Sequence, residues 1–242
     1  MSGHSHWATI KNQKGAADIK KGQIFSKMAK LISIAVKEGG TDPDKNPKLR
    51  LAIEKAKSLN MPKDNVDRSI KKGSGELAEG IQLEEISFEI FGPSGIAVIV
   101  ETITDNKNRT LSEIKKILNL TNGKLAGEGS VKWLFNRKGV LIANAGQTEK
   151  NKEEIEMMVI ESGAEDMNWH DNSLEIFSKI EDLEKIKSIL LEKGLVIESA
   201  SLDWVAKESI ELSEKEKVAC EKLFELLDES ESVQEVYSNL KD

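Results

Sequence analysis

One cysteine, Cys220, is the whole thiol content of 242 residues, which excludes an intrachain disulfide and fits a reducing compartment. Histidine is nearly as scarce. His4, His6 and His170 complete the supply, too few for a His-rich metal centre, and no HExxH pattern occurs. CxxC, P-loop and GxSxG patterns are also missing. No apolar run approaches the ~18–20 residues that span a bilayer. The N-terminus has no apolar signal segment. These absences lead to the expectation of a soluble, cytoplasmic protein with no membrane partner, no cofactor, no metal and no catalytic residues, hence not an enzyme. Aromatic residues are only 5% of the chain, so each of its four tryptophans needs a physical reason.

What is abundant is charge, and it is unevenly placed. The net charge is −7, yet residues 1–75 carry 16 Lys+Arg against 7 Asp+Glu, while residues 76–242 carry 19 against 35. The first segment is therefore +9 and the second −16. Such a split points to a basic part that meets a polyanion and an acidic part with another task, with a protein partner as the expectation for it. Screening confines each field to about 8–10 Å, so the basic part can act locally despite the acidic remainder.

Residues 1–22 have little periodicity and read as a basic, flexible arm. From Gln23 the spacing of Phe25, Met28, Leu31, Ile32, Ala35 and Val36 predicts a helix that stops at Gly39-Gly40. Asn46 stands at an N-cap with Pro47 in the first turn of a second helix. A third starts after Pro62, with Val66 and Ile70 inward, and ends at Gly73. Residues 23–75 thus form a three-helix bundle, and residues 73–82 a linker.

Beyond residue 82 the period changes to two. "EEISFEIFGPSGIAVIVETITD" predicts a hairpin around Gly92-Pro93-Ser94-Gly95, whose turn chemistry also explains Ser94 without a nucleophile elbow. Thr110, with Glu113 three residues on, predicts the capped start of a helix. "VKWLF" predicts a strand. Residues 138–207 then read β-α-β-β-α-β, the order of a ferredoxin-like sandwich. The tail is one helix, capped by Ser213 with Glu216, and one strand around "VQEVY". These complete the sheet begun at 83–137, so that residues 83–137 plus 208–242 form a discontinuous domain. The fold class is α+β: an N-terminal three-helix bundle followed by two α/β (ferredoxin-like) sandwich domains, one inserted in the other. Cys220 reads as a core residue of the tail helix, and His170, beside a hairpin turn, as surface.

The candidate nucleic-acid contacts come from the basic part. Trp7 sits among Lys11, Lys14, Lys20, Lys21, Lys27 and Lys30, and Arg50, Lys55, Lys57, Arg68, Lys71 and Lys72 extend the positive surface onto the bundle. A flat indole stacks on an unpaired base; packing against the bundle is the other role open to Trp7. Arg109 joins the candidates because a cation just before the expected Thr110 cap opposes the helix dipole unless an anion sits there. Asp105 or Glu113 offers it a plain surface pair instead. After loss of Met1, the Ser-Gly-His terminus has the nitrogens that Cu(II) or Ni(II) prefers, a minor reading beside an arm that meets nucleic acid.

The segments "GHSHWATIKNQKGAADIKKGQIFSKMAK", "GGTDPDKNPKLRLAIEKAKSLNMPKDNVDRSIKKG", "FGPSGIAVIVETITDNKNRT" and "GSVKWLFNRKG" resemble the YebC family. The resemblance spans nearly the whole chain and is densest over residues 3–137. It implies three domains: a helical bundle and two α/β domains, one inserted in the other. It also implies a regulator of gene expression, since bacterial members are called probable transcriptional regulators and mitochondrial relatives are translational activators. It carries no catalytic residue onto this chain. Two targets stay open: DNA, as a transcriptional regulator, or RNA on the ribosome, as a translation factor. A recognition helix reads DNA from its N-terminal residues. The third helix starts with Asp64 and Asp67 in that place, whereas a basic arm with an aromatic suits looped or single-stranded RNA.

Overall fold

The computed structural model describes residues 17–77, 82–148 and 150–241. The first helix, α1 (Ala17–Gly39), starts before the expected Gln23, so the expected arm shares its last residues with a helix. It buries Met28, Ile32, Ala35 and Val36 at helical spacing and ends where Gly40 adopts φ +85°, a value that only glycine takes without strain. Helix α2 (Pro47–Ser58) begins where the sequence indicates. The Asn46 side chain accepts from the Leu49 N–H at 3.0 Å, and its amide donates to the carbonyls of Ala35 at 2.8 Å and Gly40 at 2.9 Å. Helix α3 (Lys63–Gly73) lies close against α1. A Cβ on Gly73 would stand 2.4 Å from the Ser33 carbonyl oxygen, so the contact requires glycine. The Ser33 hydroxyl donates to the Ser69 carbonyl at 2.9 Å in the same seam.

The chain divides into two compact units, residues 1–136 with 205–242, and residues 137–204. In the first, beyond the bundle, strands β1 (Glu84–Phe91), β2 (Ala97–Thr104), β3 (Lys124–Leu125) and β8 (Val233–Ser238) form a sheet in the order β3-β1-β2-β8. β1 and β2 pair antiparallel from Glu84↔Thr104 to Phe91↔Ala97. Helices α4 (Lys107–Thr121) and α7 (Glu214–Asp228) place Ile114, Ile117, Leu118, Cys220, Leu223, Phe224 and Leu227 against Phe88, Ile90, Val98 and Val100 of the sheet. Each such side chain, once buried, stabilises the fold by about 1.5–3 kcal/mol. Cys220 lies inside this core, where burial pushes its thiol pKa up and keeps it from reacting. The Ser213–Glu216 capping box starts α7 as expected.

The second unit holds α5 (Lys152–Ser162), β5 (Asp166–His170), β6 (Ser173–Ser178), α6 (Leu183–Glu192) and all but the outermost two residues of both β4 (Phe135–Asn144) and β7 (Val196–Ala206). The strand order β5-β6-β4-β7, with β6 antiparallel to both β4 and β5, is the ferredoxin-like arrangement. His170 is half-buried, with Nε2 3.4 Å from the Glu175 carboxylate. No helix among the described residues is long and apolar enough to cross a membrane.

Two local expectations are corrected. Thr110 does not cap α4. The cap is Asn106, whose side chain accepts from the Arg109 N–H at 3.0 Å, and the helix starts at Lys107. Thr110 is fully buried, and its hydroxyl reaches Thr104 at 2.9 Å and Ser232 at 3.3 Å. Its hydroxyl is taken up inside the unit, so the capping-box pattern was a local coincidence. Nor is "VKWLF" a strand throughout: Lys132–Leu134 is a 3-10 turn and β4 starts at Phe135. The cause is a buried carboxylate. Glu89 accepts from the backbone N–H groups of Gly129 at 2.6 Å, Val131 at 2.6 Å and Lys132 at 2.9 Å, which curls the loop around it.

Candidate nucleic-acid interface

The basic residues separate into those whose charge is engaged inside the first unit and those that face solvent. Lys27 is buried. Its ammonium donates to the Asp228 carbonyl at 2.6 Å and lies 3.4 Å from the Asp228 carboxylate. It fastens α1 to the end of α7, so its ammonium is engaged within the chain. Lys30 donates to the Glu231 carbonyl at 2.9 Å, and burial holds its ammonium below the ordinary lysine pKa. Lys55 pairs with Glu235 of β8. Two lysines outside the expected set act likewise: Lys48 bridges Glu38 at 2.7 Å and Glu85 at 2.8 Å, and Lys37 donates to the Leu83 carbonyl at 3.1 Å. Part of the bundle's positive charge therefore meets the acidic sheet of the same chain. Arg50 is half-buried and donates to the Pro43 carbonyl at 3.3 Å.

Facing solvent are Lys57 at the end of α2, and Arg68 and Lys71 three apart on α3. Their side chains make no hydrogen bond or ion pair among the described residues, so their charge is open to an external anion. Lys21 is also exposed, its ammonium 5.8 Å from the Phe25 ring centroid. Lys72 is half-buried. Trp7, Lys11 and Lys14 lie outside the described residues, as do the Ser-Gly-His terminus and the side chain of Lys20.

Arg109 occupies the first turn of α4, not the position before a cap. It pairs with Asp105 at 2.5 Å, and its side chain is 62% exposed. The charges of Asp105, Arg109, Glu231 and Lys27 all act on Lys30, so this corner holds cations and carboxylates together. An exposed pair of this kind is worth about 0–1 kcal/mol. Arg109→Ala should therefore leave the melting temperature nearly unchanged, and a mobility-shift assay should show weaker nucleic-acid binding. Unaltered binding with clear destabilisation would confine Arg109 to its pair with Asp105.

Among the described residues no group of three or more His, Cys, Asp and Glu is placed to hold a metal ion. Two exposed aromatics carry no role in the sequence reading: Phe91 is 40% exposed and Trp133 63%. For Trp133 the signal was available, because "GEGSVKW" puts a tryptophan after a glycine-rich stretch, but the apolar run "VKWLF" was read as a strand.

Residues 5–76 match the model of the TACO1/YebC protein N-terminal domain, and residues 83–240 that of the TACO1/YebC second and third domain. A "probable transcriptional regulatory protein" of Prosthecochloris aestuarii is 45% identical over 245 residues, covering 100% of this chain and 96% of the relative. One of Halothermothrix orenii, with the same description, is 43% identical over 242 residues, covering 99% and 94%. The crystal structure of a conserved hypothetical protein of Aquifex aeolicus superposes with a TM-score of 0.87 at 40% identity, covering 98% of this chain and 97% of that one.

Proposed function

We propose, since this chain belongs to the TACO1/YebC family, that it is a non-enzymatic, cytoplasmic transcriptional regulator that binds DNA through its basic N-terminal part. The names of its relatives support regulation. The observation that carries the nucleic-acid reading is the solvent-facing set Lys57, Arg68 and Lys71, in a segment with a surplus of nine positive charges. The acidic α/β domains are left for a protein partner. The test is binding of the full chain to duplex DNA and to RNA of matched sequence across a salt series. Phosphate contacts give a log–log salt slope of about −0.9 per phosphate on duplex DNA and about −0.7 on single strands. A flat response would remove the nucleic-acid reading.

One observation favours a second reading, RNA on the ribosome. Asp64 and Asp67 are both exposed in the leading half of α3, where a DNA-reading helix approaches phosphates and base edges. Salt-sensitive sedimentation with ribosomal subunits, together with weak duplex binding, would put this reading first.

A further inference from the structure

We propose that Trp133 is a stacking platform for an unpaired base, at a second nucleic-acid contact on the β3 side of the first sandwich. This rests on the nucleic-acid reading above and extends it to a residue outside the basic segment. Trp133 is exposed to 63%, in a chain where the other described tryptophans are half-buried beside cations: Trp169 lies 4.9 Å from the Lys152 ammonium, and Trp204 lies 5.2 Å from the Arg137 guanidinium.

The exposed indole stands on a fixed pedestal. The Glu89 carboxylate gathers three backbone N–H groups of residues 129–132. The indole Nε1–H donates to the Ser130 carbonyl at 2.9 Å, so its one polar atom is satisfied while most of the ring stays in solvent. Lys207 closes the other side, its ammonium donating to the Trp133 carbonyl at 2.7 Å and its N–H to the Leu134 carbonyl at 2.9 Å. An aromatic held this way loses little further freedom on binding.

Its surroundings suit a nucleic-acid strand. Phe91 lies two residues beyond Glu89 on the same face of β1 and is 40% exposed. Lys124 stands opposite Phe91 in the β1–β3 register. Two exposed aromatics with Lys124, Lys132 and Lys207 near them give the alternation of stacking faces and cations that binds single strands without strong sequence preference. The acids of the adjoining loops are Glu128, Glu208 and Glu211, of which Glu211 is paired with Lys241, and the Glu89 carboxylate is taken up by backbone N–H groups.

The experiment uses the full chain and short single strands carrying 2-aminopurine, one of RNA and one of DNA, with a duplex as control. Wild type should bind a single strand and quench 2-aminopurine. Trp133→Ala should weaken that binding by about 5- to 150-fold and abolish the quenching, with duplex affinity and melting temperature unchanged. Trp133→Phe keeps an aromatic face and should stay within about threefold of wild type. The RNA and DNA arms identify which strand supplies the base. If Trp133→Ala binds every probe as wild type does, while Lys57→Ala/Arg68→Ala/Lys71→Ala loses affinity, the platform is wrong and the function stands. If Trp133→Ala lowers the melting temperature without changing affinity, Trp133 is a packing residue and the platform is again wrong. If the wild type binds no probe at all, both readings fall.

Discussion

Replacing Glu89 by Gln should lower the stability of the first unit by about 2–4 kcal/mol, the largest loss expected from any single polar change described here. Three backbone donors converge on this one carboxylate, and Glu89 itself is only 4% exposed. Glutamine offers one carbonyl oxygen and turns an NH2 group toward the remaining donors, so at least one N–H loses its acceptor inside the fold. For 150–250 residues, each kcal/mol corresponds to about 2–4 °C in melting temperature. Burial pushes the Glu89 carboxyl pKa up, but the backbone hydrogen bonds outweigh it and hold the group below its ordinary value. A lowered folded-state value stabilises fully above the ordinary carboxylate range and fades as pH falls through the folded value. The gap between wild type and Glu89→Gln should therefore be widest at neutral pH and narrow below about pH 4.3. Thermal melts of both proteins from neutral to acid pH check this. A gap constant down to acid pH would mean that the carboxylate's charge does not hold the loop.

Lys27→Met should cost about 1.5–3 kcal/mol and leave nucleic-acid affinity unchanged. The methionine side chain is near in length and supplies no donor, so the Asp228 carbonyl loses the partner it now has at 2.6 Å. Lys27 is 5% exposed, so no phosphate reaches its ammonium without moving α1 or α7. Thermal melts and a binding isotherm on the same variant separate the two roles. A variant of wild-type stability with weakened binding would return Lys27 to the interface.

The difference between Lys27 and Lys57 explains what was legible in the sequence. Elements fixed by near neighbours were readable: Asn46 with Pro47, Ser213 with Glu216, and the hairpin around Gly92–Gly95 all carry their chemistry within a few residues. The α+β class followed from the change of period after residue 82. The interface was less readable because the acceptors of Lys27 and Lys30 lie 201 residues away, and that of Lys55 lies 180 away. Composition counts those lysines as positive surface, and only the fold shows that the end of α7, the loop after it and β8 meet them. Thr110 and Trp133 were misread for a related reason. A local pattern suggested a cap and a strand; the helix instead starts at the Asn106 cap while Thr110 is buried against Thr104 and Ser232, and the distant Glu89 sets the backbone before Trp133.

If engaged lysines serve folding and solvent-facing cations serve binding, the salt dependence of binding tests that division most directly. The full chain and its Lys57→Ala/Arg68→Ala/Lys71→Ala variant are titrated with duplex DNA and with single-stranded RNA at several salt concentrations. If the three cations meet phosphates, the variant's log–log slope should be shallower by about 2–3, from about 0.7–0.9 for each phosphate left unneutralised. Its melting temperature should match wild type, because all three side chains face solvent. An unchanged slope and affinity in the variant would contradict the division and move the polyanion away from the bundle.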